Sequence, residues 1–158
     1  MRKTVLFILT FILVGYIISS CGKKETGCMP VSPDSERNQL ISFCSTNNIT
    51  YTQQGSGLFY QILAQGSGVT PTLNSKIYIT YTGTLLNGTI FDTQTSTSTT
   101  GWVLSSLIEG MRIGLPLIQK GGHIKLVIPS SLAYGCNGIT NIPSNTPIFF
   151  DVTLVDVQ

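Results

Sequence analysis

Alternating apolar and polar positions mark several short stretches of the chain as β-strands with one buried face. In residues 77–81 this period of two places Ile77, Ile79 and Tyr81 on the same side. Asn87-Gly88 follows, a pair that favours the two positive φ angles of a type I′ turn, and residues 89–91 then form the returning strand of a hairpin. Similar patterns predict strands at residues 57–63, 102–104, 124–128 and 148–157.

Two other segments have the spacing of helices. The first is capped by Asp34 or Ser35, ends near residues 47–48, and carries an apolar stripe of Leu40, Ile41, Phe43 and Cys44. We expect this helix to pack on the domain or to form an accessory arm rather than to carry chemistry.

The second helix is predicted to begin after Leu107 and to bury one face, made of Ile108, Met111, Leu115 and Ile118. Pro116 lacks a backbone N–H and is expected to kink or split it. Several strands with one intervening helix indicate an antiparallel α+β domain. The Thr- and Ser-rich residues 93–100 are interpreted as a mobile flap beside the hairpin.

The first twenty residues are interpreted as an export signal rather than as part of the fold. Arg2 and Lys3 precede an apolar run over residues 5–18, which is short for a membrane span. Residues 18–21, Ile-Ser-Ser-Cys, resemble a bacterial lipobox, whose cysteine receives a diacylglycerol and becomes the new N-terminus. An ordinary signal peptide or an uncleaved anchor with an incidental Cys21 is the alternative.

This interpretation divides the chain into a signal peptide over residues 1–20, a tether and short helix over residues 21–56, and a domain over residues 57–158. Two acyl chains give stable anchoring. The domain is therefore expected in the cell envelope, attached to a membrane. Gly22 stands where some bacterial lipoproteins have an aspartate that retains them at the inner membrane, which favours the outer membrane.

The composition excludes some classes of partner. The chain has nine basic and seven acidic residues, and removal of Arg2 and Lys3 with the leader leaves seven of each. Such a neutral chain lacks the basic excess typical of nucleic-acid binding. His123 is the sole histidine and no C-x-x-C pair exists, so no metal site is predicted.

The cysteines after the lipobox are expected to meet an oxidising compartment. Cys28 and Cys44 could then form a disulfide and leave Cys136 alone. The alternative is that all three are free thiols.

Four further blocks follow the hairpin of residues 76–93 in a characteristic order. They are residues 101–114 (GWVLSSLIEGMRIG), 120–129 (KGGHIKLVIP), 132–135 (LAYG) and 142–154 (IPSNTPIFFDVTL). Together these segments resemble the FKBP family, the macrolide-binding peptidyl-prolyl cis-trans isomerases, and the resemblance covers residues 57–157. It implies a twisted antiparallel sheet wrapped around one short helix, with the ligand entering between them.

The resemblance also implies a site. The catalytic residues would be Tyr81, Phe91, Asp92 and Tyr134, and the substrate-binding residues would be Trp102, Leu107, Ile108, Met111, Ile142 and Phe150. Among these, the Ile108 N–H and the Tyr134 hydroxyl would each hold a substrate carbonyl. Asp92 would orient the pocket and approach the twisted carbonyl carbon, and Ile142 would form an apolar lip. Ordinary packing of the sheet core is the alternative explanation for the aromatic residues.

The implied reaction breaks no bond, in keeping with a sequence in which no motif activates a serine or cysteine nucleophile. It is the cis-trans rotation of X-Pro bonds in envelope polypeptides, without a cofactor, and macrolide inhibitors are further ligands that the resemblance suggests. The first helix is shorter than the dimerising helices of some bacterial relatives, so we expect a monomer.

Met111 stands where most active members have a tryptophan at the pocket floor. A catalytically weak peptide-binding module or holdase is therefore the competing hypothesis, and a purely structural envelope lipoprotein is a third.

Overall fold

One of the two ten-residue strands, Ile148–Val157, alternates buried and less buried residues from Ile148 to Val155, and the rest of the sheet is built around it. The computed structural model describes residues 27–96 and 101–158. Within these ranges the regular elements are α1 (Pro33–Thr46), β1 (Thr52–Gln53), β2 (Phe59–Ala64), β3 (Lys76–Leu85), β4 (Ile90–Gln94), β5 (Trp102–Val103), α2 (Glu109–Gly114), β6 (His123–Ile128) and β7 (Ile148–Val157). Three short 3₁₀ helices complete them: Leu104–Ser106, Leu115–Leu117 and Ser130–Leu132.

All strand pairs in the sheet are antiparallel, in the order β1-β2-β6-β7-β3-β4, with β5 pairing with the start of β3. β7 lies between β6 and β3, and its register places Phe150 beside Gly83 of β3. β4 places Asp92 beside the same glycine on its other side. The sheet thus brings residues distant in sequence to one point, and the predicted fold, an antiparallel sheet with few short helices, is confirmed.

The main core lies between the inner face of the sheet and α2. Gly110 and Gly114 allow the helix to approach β6 closely, because a Cβ atom on Gly110 would lie 2.5 Å from Ile128 Cγ2 and one on Gly114 would lie 2.5 Å from Leu126 Cδ2. The helix is only six residues long and is followed by a 3₁₀ turn that contains Pro116. The expected break at Pro116 is therefore observed, and Leu115 and Ile118 are buried beyond the end of α2 rather than within it.

α1 covers the opposite face of the sheet. Ser32 caps it through a hydrogen bond from the Ser35 N–H to Oγ, and Pro33 occupies the first helical position, where a missing N–H costs nothing. Its apolar stripe buries Leu40 and Cys44 against Phe59 of β2 and Val127 of β6. The predicted helix is confirmed, and it packs on the domain instead of extending away from it.

The hairpin turn differs from the prediction. Gly88 has a φ of +89°, but Asn87 is not among the residues with positive φ, so the turn is not type I′. The Gly88 N–H bonds to the Leu85 carbonyl and the Leu85 N–H bonds to the Thr89 carbonyl, which makes a three-residue loop ending in a left-handed glycine. The Asn87 side chain accepts a hydrogen bond from the Thr89 N–H instead.

The predicted disulfide is also wrong. Cys28 pairs with Cys136, their Cα atoms 5.3 Å apart, and Cys44 is a buried free thiol in α1. Cys44 faces the sheet within the apolar contact of α1, so its side chain points away from the segment that precedes the helix.

The ends of several strands differ slightly from the predicted ends. β6 begins at His123, one residue before the predicted strand, Leu104 begins a 3₁₀ helix instead of ending a strand, and the two-residue β1 has no counterpart in the prediction. Thr93 and Gln94 of the expected flap belong to β4, and its last part, residues 97–100, lies outside the described residues.

The interpretation of the leader and of Cys21 concerns residues 1–26, which also lie outside the described residues. In the part of the chain that the structure describes, no helix is long and apolar enough to cross a membrane.

Candidate functional site

A cavity of about 220 Å³ lies between the inner face of the sheet and α2. Most of its wall is aromatic or aliphatic, and its lining residues are Ile79, Tyr81, Asp92, Trp102, Leu107, Ile108, Met111, Tyr134 and Phe150. Several of these side chains are only partly buried, so the cavity opens to solvent at its rim. A small apolar cleft with few polar groups is typical of a ligand site.

One polar contact orders the wall formed by β3 and β4. The Tyr81 hydroxyl donates a hydrogen bond to Asp92 Oδ2 over 2.7 Å. Burial raises the pKa of Tyr81 well above its ordinary value, and the bond to Asp92 and its charge raise it further. Tyr81 therefore stays protonated throughout the physiological range and holds Asp92 in one orientation at the rim of the cavity.

Three edge-to-face contacts fix the aromatic wall. The Tyr81 ring lies 5.6 Å from that of Phe150 and 6.3 Å from that of Trp102, and Phe91 packs against Phe150 at 5.5 Å. Gly83 makes room for this arrangement, because a Cβ atom there would lie 2.7 Å from both Phe150 Cε1 and Phe91 Cζ. The rings are therefore held by one another and by the strand beneath them.

The helical wall is formed where α2 begins. Ile108 is its N-cap residue, and its carbonyl accepts the N–H groups of Met111 and Arg112. No backbone hydrogen bond engages the Ile108 N–H within the described part of the chain. Ile108 thus presents a backbone N–H to the cavity, and this donor can form a hydrogen bond with a peptide carbonyl. Met111 is 4% exposed and lines the cavity from the side of α2.

Tyr134 closes the cavity on the side of the loop that follows the 3₁₀ helix Ser130–Leu132. Burial raises the pKa of its hydroxyl, and the charge of Asp92 adds to the effect. Both tyrosines that line the cavity with Asp92 therefore keep their protons. The cavity contains two neutral O–H groups and a single acid among apolar walls.

The structure gathers eight of the ten residues implied by the resemblance around this cavity. They are Tyr81, Asp92, Trp102, Leu107, Ile108, Met111, Tyr134 and Phe150. Phe91 does not line the cavity and supports Phe150 from behind.

Ile142 is 1% exposed and belongs to the hydrophobic core, so it does not form the expected lip. Ile79 lines the cavity although it was not anticipated there. Its position on the same strand face as Tyr81 could have indicated it.

A separate polar cluster lies outside this cavity. His123 Nε2 contacts Asp151 Oδ1 on the outer face of the sheet, beside the hydroxyl groups of Thr80, Thr82 and Thr153. Among the described residues no group of three His, Cys, Asp or Glu side chains could hold a metal ion.

A family model described as "FKBP-type peptidyl-prolyl cis-trans isomerase" matches residues 68–155. The chain belongs to the FKBP-type peptidyl-prolyl cis-trans isomerase family. A curated member of this family, FkpA of Escherichia coli K12, is 42% identical over 104 residues, which cover 65% of this chain and 38% of FkpA. FkpA of Buchnera aphidicola from Schizaphis graminum is 40% identical over 133 residues, 78% of this chain and 52% of the relative. The chain thus spans between 38% and 52% of the length of these FKBP-type relatives.

Solved FKBP-type structures agree with the fold. The crystal structure of Escherichia coli FkpA superimposes with a TM-score of 0.71 at 34% identity and covers 80% of this chain and 59% of that one. A peptidyl-prolyl cis-trans isomerase from Pseudomonas syringae pv. tomato DC3000 gives a TM-score of 0.67 at 27% identity, with 82% and 98% coverage. Each superposition covers at least 80% of this chain, which is more than the residues from position 68 onward could supply. Both superpositions therefore include residues before the family match.

Proposed function

We propose that this protein accelerates cis-trans rotation about X-Pro bonds in polypeptides. One observation carries the proposal: the cavity is open, largely apolar and ordered by the Tyr81–Asp92 hydrogen bond. Membership of the FKBP-type family supports the same reaction. The substrate would be a proline-containing segment whose ring enters between the sheet and α2.

The chemistry needs no nucleophile because no bond is broken. Rotation about the X-Pro amide is slow, on the order of tens to hundreds of seconds, and faces a barrier of about 18–20 kcal/mol that comes from amide resonance. Resonance places negative charge on the carbonyl oxygen, which water stabilises. An apolar cavity withdraws that solvation and so favours the twisted amide, in which the charge separation is smaller. Each ~1.4 kcal/mol of preference for the twisted form increases the rate tenfold.

Specific roles follow for the residues at the cavity. Trp102, Met111 and Phe150 would receive the proline ring, while the Ile108 N–H and the Tyr134 hydroxyl would each hold a substrate carbonyl. Asp92, oriented by Tyr81, would face the twisted carbonyl carbon, which becomes more electrophilic as resonance is lost. Phe91 would act through Phe150, whose ring it supports.

A protease-coupled rotation assay on a proline-containing peptide tests the proposal. We expect Phe91→Ala and Asp92→Asn each to lower kcat/KM by about tenfold, the value of one aromatic or charged contact felt in the transition state. Ile90→Ala is the matched control, because Ile90 is a neighbour on β4 that is 60% exposed and does not line the cavity. Circular dichroism at the assay temperature would verify that each variant is folded.

The outcome would separate the enzyme from the binding module. Acceleration in the wild type that both variants lose supports the isomerase. Peptide binding without acceleration would replace it by a peptide-binding module. Equal activity in all three variants would place the chemistry elsewhere.

We also propose that Cys21 carries a lipid and holds the domain in the cell envelope. The support is the order of charged, apolar and small residues that precede Cys21 in the sequence. Metabolic labelling with a clickable fatty acid should mark the wild type and not Cys21→Ser. Labelling that persists in Cys21→Ser would contradict this proposal and leave the isomerase proposal unaffected.

A further inference from the structure

The loop that carries Tyr134 is attached to the segment that precedes the sheet. One attachment is a hydrogen bond to α1, a second is a hydrogen bond to the irregular residues before it, and a third is a disulfide. Neither the family match, which begins at residue 68, nor the chemistry of the cavity accounts for these contacts.

The main chain of Ser130 holds the backbone on both sides of Tyr134. The Ser130 carbonyl accepts two hydrogen bonds, from the Ala133 N–H at 3.0 Å and from the Gly135 N–H at 2.8 Å. Since these two residues flank Tyr134, the position of the tyrosine depends on the orientation of this one carbonyl. The N–H of Ser130 in turn donates to Glu36 Oε2 over 2.8 Å.

Glu36 reaches this N–H from the first turn of α1. Its side chain is buried, with 7% exposed, and among the described residues its second oxygen, Oε1, has no hydrogen-bond partner. Burial of an acidic group with a single bond costs free energy, and an apolar residue would pack there at a lower cost. The stability of the fold alone therefore does not explain why position 36 holds a glutamate.

Two further contacts secure the other end of the same loop. The Gly135 carbonyl accepts the Asn145 N–H at 2.9 Å, and the Asn145 side-chain amide donates to the Met29 carbonyl at 3.0 Å. Cys136 is joined to Cys28 one residue further along. The Tyr134 backbone is thus enclosed between attachments to residues that lie more than ninety positions earlier in the chain.

We propose that Glu36 is a positioning residue, which sets the Tyr134 hydroxyl in the cavity by fixing the main chain of Ser130. The proposal rests on the proposed isomerase function. It assigns to the accessory helix α1 a role in the site on the opposite side of the sheet, beyond that of covering apolar surface.

Two substitutions in the full chain test the role of the acceptor. Glu36→Ala removes it, whereas Glu36→Gln retains an amide oxygen that can accept from the Ser130 N–H. We expect Glu36→Ala to increase amide hydrogen exchange at Ser130, Ala133 and Gly135 and to lower kcat/KM on a proline-containing peptide, each by about tenfold. Glu36→Gln should bring both quantities back to within about twofold of the wild type.

Cys44→Ala is the matched control. Cys44 lies on the same helix, is fully buried, and belongs to the apolar contact of α1 with the sheet rather than to the Tyr134 loop. It should lower the urea midpoint while leaving exchange at the three loop amides and kcat/KM unchanged. A loss of activity in Cys44→Ala equal to that in Glu36→Ala would overturn the proposal, because general loosening of α1 would then explain both.

Two other results would also overturn it: unchanged exchange and activity in Glu36→Ala, or failure of Glu36→Gln to rescue. If the wild type does not accelerate rotation at all, the isomerase proposal fails by itself. Whether Glu36 positions Tyr134 is then decided by amide hydrogen exchange in the Tyr134 loop and by binding of the same peptide. Weaker binding with faster exchange in Glu36→Ala alone supports it, and no difference between the variants rejects it.

Discussion

Gly83 is the residue on which the aromatic wall depends most directly. It lies in β3 between Asp92 of β4 and Phe150 of β7, with the rings of Phe91 and Phe150 directly above its Cα atom. Any side chain at this position would displace the rings that shape the cavity. The absence of a Cβ atom is thus a requirement of the site and not only of the strand.

We expect Gly83→Ala to lower the free energy of unfolding by about 1–3 kcal/mol, the usual range for an overpacked core, and to reduce isomerase activity as Phe150 moves. Urea denaturation and the rotation assay would measure the two effects. Gly55→Ala is the control, because a Cβ atom there meets nothing within 4 Å and Gly55 has no positive φ. A Gly83→Ala variant as active and stable as Gly55→Ala would show that the rings move freely.

Cys44 illustrates the effect of burial on a single ionisable group. Burial raises the pKa of its thiol to about 11. The folded protein therefore retains a proton that the unfolded chain releases near pH 9, so the stability due to this group is complete below pH 9 and is lost as the pH rises towards 11.

We expect native Cys44 to resist iodoacetamide at pH 8, because its side chain is inaccessible and nearly all of it is protonated. Peptide mapping should find Cys44 alkylated only after unfolding in guanidinium chloride. The free energy of unfolding of the wild type relative to Cys44→Ala should also decrease between pH 9 and pH 11. Rapid labelling of the native protein would indicate that α1 opens from the sheet.

At the scale of elements, local patterns predicted most of the structure. The alternation in residues 148–157 corresponds to β7, and the apolar stripe with Leu40 and Cys44 corresponds to α1, although Ser32 caps this helix and not Asp34 or Ser35 as predicted. The hairpin turn was mispredicted because Asn87-Gly88 is compatible with more than one loop length. The loop length is set by the register of the flanking strands, where a shift occurs between Gly83 and Thr84.

The disulfide could not be predicted from local patterns. Cys28 lies 16 residues from Cys44 in the sequence and 108 residues from Cys136, which favours the nearer partner in a chain without structure. The helical stripe, which places Cys44 on the buried face of α1, disfavours that partner, but the pairing with Cys136 depends on the tertiary contact that brings Cys136 beside Cys28. Local patterns likewise cannot predict the contact of Glu36 with Ser130, because this contact depends on how α1 lies across the sheet.

Reduction of the disulfide is expected to lower the free energy of unfolding by about 2–4 kcal/mol, because the bond closes a long loop in the unfolded chain. The urea midpoint with and without dithiothreitol would measure this change. The double variant Cys28→Ser/Cys136→Ser should show no response to the reductant. Peptide mapping without reduction should recover Cys28 joined to Cys136, and recovery of Cys28 joined to Cys44 would contradict the structure.

At the scale of the whole molecule, the described residues form two apolar clusters that share one sheet. The larger cluster lies on the side of α2 and includes Leu126, and the smaller lies on the side of α1 and includes Val127. These neighbours on β6 face opposite sides of the sheet, so neither cluster can be lost without disturbing the strand between them. The family resemblance located the cavity, but it gave no reason to expect this second cluster.

We expect α1 and the rest of the domain to unfold as one unit. Leu40→Ala removes a fully buried side chain from the smaller cluster and should lower the free energy of unfolding by about 2–5 kcal/mol. Trp102 fluorescence, which reports on the cavity, should shift to the same new urea midpoint as far-ultraviolet circular dichroism. Separate midpoints for the two signals would show that α1 unfolds independently.

The bond between Cys28 and Cys136 would limit how far the domain could lie from a membrane to which Cys21 is anchored. It makes Cys28, rather than Pro33, the point at which the chain leaves the domain, and Cys28 is seven residues from Cys21. Seven extended residues reach at most about 25 Å. A lipid on Cys21 would therefore keep the mouth beside Tyr134 within about one domain diameter of the bilayer, where it would meet polypeptides as they emerge from that surface.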